Sequence, residues 1–399
     1  MFKNPLLDLL PRSLRQRQIR RRYLNSVALP EIVVFKTALS MEDRLLSQAL
    51  SENGQDPRLT SPERKWPFLP CSVNIIATMG EEILATATLV LDSGFGLPSD
   101  KHHNLGRLRH QGLALVEVVG VAIRGNSKVS SESLFLPLYR YLVDYSRSVL
   151  KADAMILSSR KAFQDLYAGA LCFNEYDEGK LLSFENTRDQ DIVTQILHFH
   201  GMEAEFIDVS GKEKGLHDFF FRREFGNFDF PRPRYAVATN PLLTQAQFLH
   251  FFFGEDKLID DLSTHERLLL ADFYRSPGLR RKILGDIIPG YRRSSPRIPA
   301  RFSASLFNDD HKSRVGEIRQ IAREGLALRV KGFDYKIGEK ISIVVDLGGS
   351  KKLRISGKIV WASADSEGVR LEEVPESWHD LNDSAWYEDT LPALRELSA

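Results

Sequence analysis

The spacing of apolar residues changes from helical to alternating early in the chain. Leucines at helical spacing predict a helix over residues 38–50. After a polar loop, apolar and polar residues alternate on both sides of Gly80, which predicts a β-hairpin of residues 72–79 and 83–91. Residues 113–125 are more continuously apolar, as expected of a strand in the centre of a sheet.

Helical spacing returns after this strand. Leucines and aromatic residues predict a long helix over residues 130–152, with Ser130 or Ser131 as its cap. A short strand over 152–159 and a helix over 160–173 follow. This order of helix, hairpin, central strand, helix, strand and helix predicts a mixed α/β domain built around one sheet.

The following hundred residues are less regular. Their apolar patterns predict three helices, over residues 189–201, 243–254 and 264–284, which form a helical C-terminal extension of the α/β domain. The stretch 285–300 is rich in proline, glycine and serine, so it predicts a linker at the end of this extension.

Six short segments after this linker alternate with period two and are separated by glycine or charged turns. This pattern predicts a small all-β domain, a six-stranded barrel. The segments are residues 301–307, 316–322, 325–330, 339–347, 352–362 and 367–374.

Length and composition support two domains. A chain of 399 residues with 43% hydrophobic content is long enough for two separate cores. We therefore divide it into a basic N-terminal arm (1–30), an α/β domain (31–289) and a barrel domain (290–399). The 54 lysines and arginines nearly balance the 53 aspartates and glutamates, so we expect no DNA or RNA partner. Two cysteines suit a reducing, cytoplasmic compartment.

The N-terminal arm concentrates arginines, six of which lie between residues 12 and 22. It has no continuous apolar stretch of the kind that a signal peptide requires. Its charge offers a site for anionic lipid or for a nucleotide phosphate. The alternatives are a solvated arm and a helix docked on its own protein. We expect a cytoplasmic protein, with peripheral contact to the inner membrane through this arm as an open option.

The last hundred residues resemble the bacterial PilZ family. The segments YRRSSPRIPARF (291–302), QIAREGLAL (320–328), GKIVW (357–361) and GVRLEE (368–373) carry this resemblance. It implies a β-barrel that binds the second messenger cyclic di-GMP.

The resemblance also implies binding residues. The family's pair of arginines matches Arg293 and Arg297, next to Arg292, and its second motif falls on Gln320 and Gly325. A guanidinium offers a rigid fork of donors to phosphate oxygens and a flat cation to stack on guanine. The second motif departs from the family because alanine replaces serine at position 322.

The α/β domain resembles GNAT-like acyltransferases, in particular the N-acyl amino acid synthases and the related autoinducer synthases. DSGFGLPSD (92–100), LRHQGLALVEVVGVAIRG (108–125) and ILSSRKAFQDLYAGALCF (156–173) carry the resemblance. It implies transfer of an acyl group from acyl carrier protein, or from coenzyme A, to a small amine or amino acid. The loop before residue 131 lacks the glycine-rich pattern of coenzyme A binders, which favours acyl carrier protein.

Five residues of this domain are candidates for the chemistry. Glu117 matches a family glutamate and is expected to act as general base, since burial raises a carboxyl pKa. Arg109 is expected to pair with Glu117 or with a substrate carboxylate. Tyr167 matches a tyrosine that protonates the departing thiolate. Arg124 and Lys128 are candidates to meet the donor's phosphate. The alternatives are a structural Glu117–Arg109 pair, a packed tyrosine and solvated cations.

Taken together, these patterns predict a cyclic di-GMP-responsive N-acyltransferase. The alternative is a non-catalytic PilZ effector whose GNAT-like domain binds a protein or a lipid. The close histidine pairs, His102 with His103 and His198 with His200, lack the neighbouring ligands of a zinc site. We therefore predict no metal site and interpret these histidines as solvated or core residues.

Overall fold

The chain forms two compact units in a computed structural model. The first unit comprises residues 1–67 and 71–231, and the second comprises residues 68–70 and 232–399. The structure describes residues 10–27, 29–54, 64–101, 103–176, 192–210, 215–230, 243–255, 257–274, 276–285, 298–308, 313–330, 336–347, 351–362 and 367–387.

A seven-stranded sheet forms the centre of the first unit. The strands follow one another in the order β1-β2-β3-β4-β5-β7-β6. The β4–β5 pair is parallel, and the other neighbouring pairs are antiparallel. The strands are β1 (Val33–Thr37), β2 (Ser72–Met79), β3 (Glu82–Leu91), β4 (Leu115–Ile123), β5 (Ala154–Arg160), β6 (Asn174–Glu175) and β7 (Ile192–His198).

Helices connect and cover these strands. The longest, α4, begins where the Ser130 side chain accepts a hydrogen bond from the Ser133 N–H, as a capping residue does. The helices of this unit are α1 (Arg12–Ser26), α2 (Met41–Gly54), α3 (Gly106–His110), α4 (Ser131–Ser148), α5 (Gln164–Leu171), α6 (Met202–Ser210) and the single turn α7 (Gly215–His217).

One face of the sheet is apolar. Val116 and Val118 of β4 join Leu134 and Tyr139 of α4 in a continuous buried cluster. Leucines and aromatic residues at helical spacing give α4 a wide apolar stripe, and burial of that stripe against the sheet stabilises both elements.

The opposite face of the sheet is also buried, but it carries polar side chains. Successive residues of a strand point to opposite faces, so Glu117, between Val116 and Val118, points away from the apolar cluster. Ser158 of β5 and Thr194 of β7 are direct partners across the two strands and are buried on the same side as Glu117. The fold therefore separates an apolar face from a polar one.

The N-terminal helix α1 docks on the first unit. A Cβ at Gly169 of α5 would lie 2.9 Å from the Cα of Gln16, so the small glycine allows the two helices to touch. Arg20 donates to the carbonyl oxygens of Gly169 and Val209 at 3.0 and 2.8 Å. Tyr23 is buried. Of the alternatives for the basic arm, the docked helix is the one observed.

The second unit combines three helices with the barrel. Capping boxes at Thr244 and Ser263 fix the starts of α8 (Gln245–Phe253) and α9 (Thr264–Phe273), and α10 (Pro277–Leu284) follows. The Phe68 and Phe251 rings stack with their centroids 4.2 Å apart, which attaches residues 68–70 to this unit.

Six strands close into the predicted barrel, in the order β10-β13-β12-β11-β8-β9. Alternate residues such as Ile341, Ile343 and Val345 fill its core, together with Trp378 of α11 (Glu376–Tyr387). The strands are β8 (Ile298–Asn308), β9 (Ser313–Ala322), β10 (Gly325–Val330), β11 (Lys340–Asp346), β12 (Lys352–Ala362) and β13 (Glu367–Glu373).

The α/β domain and the barrel are thus confirmed, but one predicted element is wrong. Residues 189–201 were expected to form a helix, whereas Ile192–His198 form β7, which pairs residue by residue with β5. Pairing inside the sheet outweighs the weak helical spacing of this segment. The helix predicted over 264–284 is divided in two, and Pro277 stands at the first position of the second helix. The predicted domain boundaries stay predictions.

Candidate active site

The centre of the sheet opens between β4 and β5. Their pairing runs from Leu115 with Ala154 to Val118 with Leu157, whereas β4 itself continues to Ile123. Beyond Val118 the described strands are no longer paired with each other. The main-chain groups of β4 after Val118 therefore have no partner on β5, in the middle of the sheet.

Gly120 lies in the splayed part of β4 and has a φ of 59°. This left-handed conformation is favourable for glycine and strained for other residues. The backbone conformation explains why this chain has glycine there.

Glu117 lies at the start of the splay and is 1% exposed. Its Oε2 accepts a hydrogen bond from the Ser99 N–H at 2.9 Å, and its Oε1 accepts one from the Ser158 hydroxyl at 3.4 Å. Burial raises the pKa of Glu117 to about 7, the Ser99 N–H lowers it, and the nearby Asp100 carboxylate raises it further. A carboxyl with this pKa is suited to accept and release a proton near neutral pH.

The hydrogen bonds continue from Glu117 across the polar face. The hydroxyls of Ser158 and Thr194 lie 3.1 Å apart, and the Thr194 hydroxyl lies 2.9 Å from Nδ1 of His103. Sequence reasoning missed Thr194 because its segment was predicted as helix, and it missed Ser158 because a small polar residue in a correctly predicted strand carries no signal of its own. It placed His103 among solvated or core residues, and the buried position of His103 agrees with the second description.

Arg109 holds two carboxylates of its own unit. Its Nε and Nη2 donate to Asp92 at 2.7 and 2.8 Å, and its Nη1 and Nη2 donate to Asp100 at 2.8 and 2.7 Å. These contacts differ from the predicted pairing with Glu117 or with a substrate carboxylate. Asp100 follows Ser99 in the short 3-10 turn Pro98–Lys101, and the Ser99 N–H donates to Glu117. Arg109 therefore anchors the turn that contacts Glu117.

Tyr167 of α5 is fully buried in the apolar cluster. Its ring lies 6.0 Å from the Tyr139 ring and 6.3 Å from the Phe135 ring, measured between centroids. This cluster covers the apolar face of the sheet, and Glu117 points to the other face. The structure therefore does not bring the predicted acid and the predicted base together.

The predicted phosphate-contacting cations lie in the turn before α4. Arg124 and Lys128 are both exposed. Arg124 borders a cavity of about 560 Å³, which is also lined by Leu46, Leu50 and Ile83. Gly125 makes the turn possible, since a Cβ there would lie 2.6 Å from the Val129 carbonyl oxygen.

In the barrel, only the second predicted ligand motif can be described. Arg292, Arg293 and Arg297 lie outside the described residues. Gln320 is half-buried in β9 and pairs with residue 327 of β10. A Cβ at Gly325 would lie 2.7 Å from the Val369 carbonyl oxygen, so glycine is needed for the approach of β13.

Ala322, the residue that departs from the PilZ motif, accepts a hydrogen bond through its main chain. The indole N–H of Trp378 donates to the carbonyl oxygen of Ala322 at 3.0 Å. This bond fixes α11 to the turn between β9 and β10.

The described ranges contain neither a metal-ligand cluster nor a membrane-spanning helix. No group of three or more histidine, cysteine, aspartate or glutamate side chains there is arranged to hold a metal ion. Within the same ranges, none of the helices combines the length and apolar character that a bilayer crossing requires.

Comparison with known proteins assigns both regions. Residues 43–184 match the family model of the N-acyl amino acid synthase FeeM, and residues 291–381 match that of the PilZ domain. Both predicted resemblances are confirmed. No curated protein matches the chain.

Solved structures of both types are similar to parts of the chain. FeeM from uncultured soil microbes is 17% identical, covers 45% of this chain and 97% of its own, and has a TM-score of 0.37. The PilZ domain of YcgR from Escherichia coli, solved with c-di-GMP, is 12% identical, with coverages of 27% and 98% and a TM-score of 0.22. A SpeG spermidine N-acetyltransferase mutant from Vibrio cholerae is 13% identical, with coverages of 43% and 97% and a TM-score of 0.29.

Proposed function

We propose that this chain, which carries an N-acyl amino acid synthase domain over residues 43–184 and a PilZ domain over 291–381, is an N-acyltransferase regulated by cyclic di-GMP. One observation carries the proposal: a buried carboxyl group, Glu117, lies where β4 and β5 separate. A carboxylate inside a sheet is costly unless it is paired or used.

In the proposed reaction, Glu117 is the general base. The amine nitrogen of the acceptor attacks the carbonyl carbon of an acyl thioester and gives a proton to the Glu117 carboxylate. A C–N bond forms, the C–S bond breaks, and the sulfur leaves as a thiolate that takes up a proton. The pKa of Glu117 of about 7 leaves a large share of the group ionised at neutral pH. We assign no step to Tyr167, because it packs on the other face.

The proposed donor is acyl carrier protein, with coenzyme A as the alternative. Both present a phosphopantetheine arm, and Arg124 and Lys128 are the exposed cations beside the splay that would meet its phosphate. The loop before α4 lacks a glycine-rich pattern, which favours the carrier protein. The proposed acceptor is a small amine such as an amino acid.

Regulation is proposed to act through access to Glu117. The turn that contains Ser99 covers this carboxyl group, so the acceptor amine reaches it only if the turn moves. Cyclic di-GMP is proposed to bind Arg292, Arg293 and Arg297, with the Gln320 amide at a guanine edge.

Lipid analysis of expressing cells tests the enzyme. Wild-type protein is expected to produce a new N-acylated amine, and Glu117→Gln is expected to lower its amount at least 100-fold. Glu42→Gln, which changes an exposed carboxylate of α2, is the control and is expected to behave like wild type. Equal product from Glu117→Gln and wild type would contradict the assignment.

A second function is a non-catalytic PilZ effector whose first unit binds a protein or a lipid. The observation in its favour is that Glu117 is covered and lies on the opposite face from Tyr167. Affinity capture with and without cyclic di-GMP distinguishes the two. A partner that binds in one condition only, with no acylated product in any condition, would support the effector.

The proposed location is the cytoplasm. Contact of the N-terminal arm with the inner membrane is not supported, because several of its arginines already bind within the first unit. Arg12 and Arg15 contact Asp165, and Arg22 contacts Glu132.

A further inference from the structure

A continuous line of hydrogen bonds crosses three strands on the polar face of the sheet. It runs from Glu117 on β4 to Ser158 on β5, to Thr194 on β7 and to His103, which lies between β3 and β4 in the chain. The successive distances are 3.4, 3.1 and 2.9 Å. Each hydroxyl therefore has one neighbour on each side and can accept from one while it donates to the other.

All four side chains are buried, with exposures of 1% for Glu117, 4% for Ser158, 0% for Thr194 and 3% for His103. Buried polar groups stabilise a fold less than well-packed apolar groups of the same size. The other face of the same strands is packed by apolar residues. A role in proton transfer accounts for a connected polar line that packing does not require.

We propose that these four residues form one proton pathway, in which the hydroxyls of Ser158 and Thr194 pass the proton that Glu117 receives to the imidazole of His103. The inference rests on the proposed function, in which Glu117 takes a proton from the acceptor amine. Glu117 is the catalytic base, and Ser158, Thr194 and His103 act through it.

The transfer balances along the line. Protonated Glu117 donates to the Ser158 oxygen, the Ser158 proton moves to the Thr194 oxygen, and the Thr194 proton moves to Nδ1 of His103. Glu117 is again a carboxylate, both hydroxyls are intact, and the imidazole carries one more proton. The transfer itself reverses the direction of all three hydrogen bonds. Once His103 has released its extra proton and both hydroxyls have rotated back, the line can carry the next proton from Glu117.

Charged and aromatic groups surround the two ends of the line. Asp100 faces Glu117, and Arg109 holds both Asp100 and Asp92. The Tyr176 ring lies 6.2 Å from the His103 ring. If the line couples them strongly, the two groups titrate as a pair, with apparent pKa values that belong to both.

Thr194→Val tests the pathway, because valine keeps the shape of threonine and removes the hydroxyl. In wild-type protein, NMR titrations of labelled Glu117 and His103 are expected to have two inflections in common. In Thr194→Val each group is expected to titrate alone with one inflection, and Thr194→Ser is expected to restore the common pair. Thr88→Val, which removes another buried hydroxyl from the polar face, is expected to leave the wild-type curves unchanged.

Ser158→Ala interrupts the same line on another strand and is expected to give the same separated titrations. If Thr194→Val unfolds, as thermal melting would reveal, Ser158→Ala supplies the test. Unchanged common inflections in either folded variant would overturn the pathway.

Acyl transfer gives a second readout. Thr194→Val is expected to lower kcat roughly 10- to 100-fold with little change in KM, and to alter the pH profile. If neither the wild type nor any variant transfers an acyl group, the proposed function fails. The NMR titrations still test the pathway in that case. If Glu117→Gln is inactive while Thr194→Val keeps the wild-type kcat and pH profile, the pathway is wrong and the base assignment stands.

Discussion

The two faces of the seven-stranded sheet are both buried, but they bury different chemistry. On the face covered by α4, valines, leucines and aromatic rings form one continuous cluster. On the other face Glu117, Ser158 and Thr194 lie side by side, joined by hydrogen bonds. The same strands supply both faces through alternate residues. The difference teaches that apolar packing and the proposed chemistry use alternate residues of the same strands, so neighbouring residues should respond to mutation in different ways.

The largest expected loss of stability comes from the apolar face. Phe135→Ala removes a fully buried ring that contacts Tyr23 and Tyr139, with centroids 4.5 and 4.9 Å away. We expect a loss of about 3–5 kcal/mol in the free energy of unfolding. Urea unfolding followed by circular dichroism measures it. Phe95→Ala, at a position that is only half-buried, is the control and should cost much less. Similar costs at the two positions would contradict the importance of this cluster.

On the polar face, we expect the free energy of unfolding to depend on pH through the buried Glu117 carboxyl group. The pKa of Glu117 is raised by burial from its usual 4.5 to about 7 in the folded protein. Between these values the folded state keeps a proton that the unfolded state has lost, so stability falls as pH rises. The loss is complete above the folded pKa and amounts to at most about 3 kcal/mol.

Unfolding at pH 5 and pH 8 measures this effect. The stability of Glu117→Gln should fall less than that of wild type between the two pH values, whereas Glu42→Gln should follow wild type. Identical pH dependence in Glu117→Gln and wild type would refute the raised pKa.

A smaller effect is expected where α1 docks on the apolar side. Gly169→Ala places a Cβ 2.9 Å from the backbone of Gln16, so the helix must shift. We expect a loss of about 1–3 kcal/mol. Thermal melting measures it, and Gly226→Ala, which has no atom within 4 Å of the added Cβ, is the control. Equal melting temperatures for the two variants would mean that the docked helix adds little stability.

The sequence predicted the elements whose pattern is local. The hairpin around Gly80, the central strand and the barrel strands all follow from alternation over a few residues. The strand Ile192–His198 was missed, because burial on both faces of a sheet removes the alternation that identifies a strand.

The residues of the candidate site were predicted only in part, because most of them are brought together by the tertiary fold. Glu117 is recognisable because a lone carboxylate interrupts an apolar run. The positions of Ser158, Thr194 and His103 depend on which strands become neighbours, and a small polar residue in a strand carries no such mark. The partners of Arg109 were also missed, because Asp92, Asp100 and Arg109 meet only when the turn that contains Ser99 folds back.

The left-handed residue in the splayed strand has a consequence for redesign. Gly120 has a φ of 59°, so a side chain such as that of arginine at this position would strain the strand by about 1–2 kcal/mol. A redesign that places a side chain at the splay therefore cannot begin with a single substitution at this position. A second change that returns the local backbone to an extended conformation would have to come first.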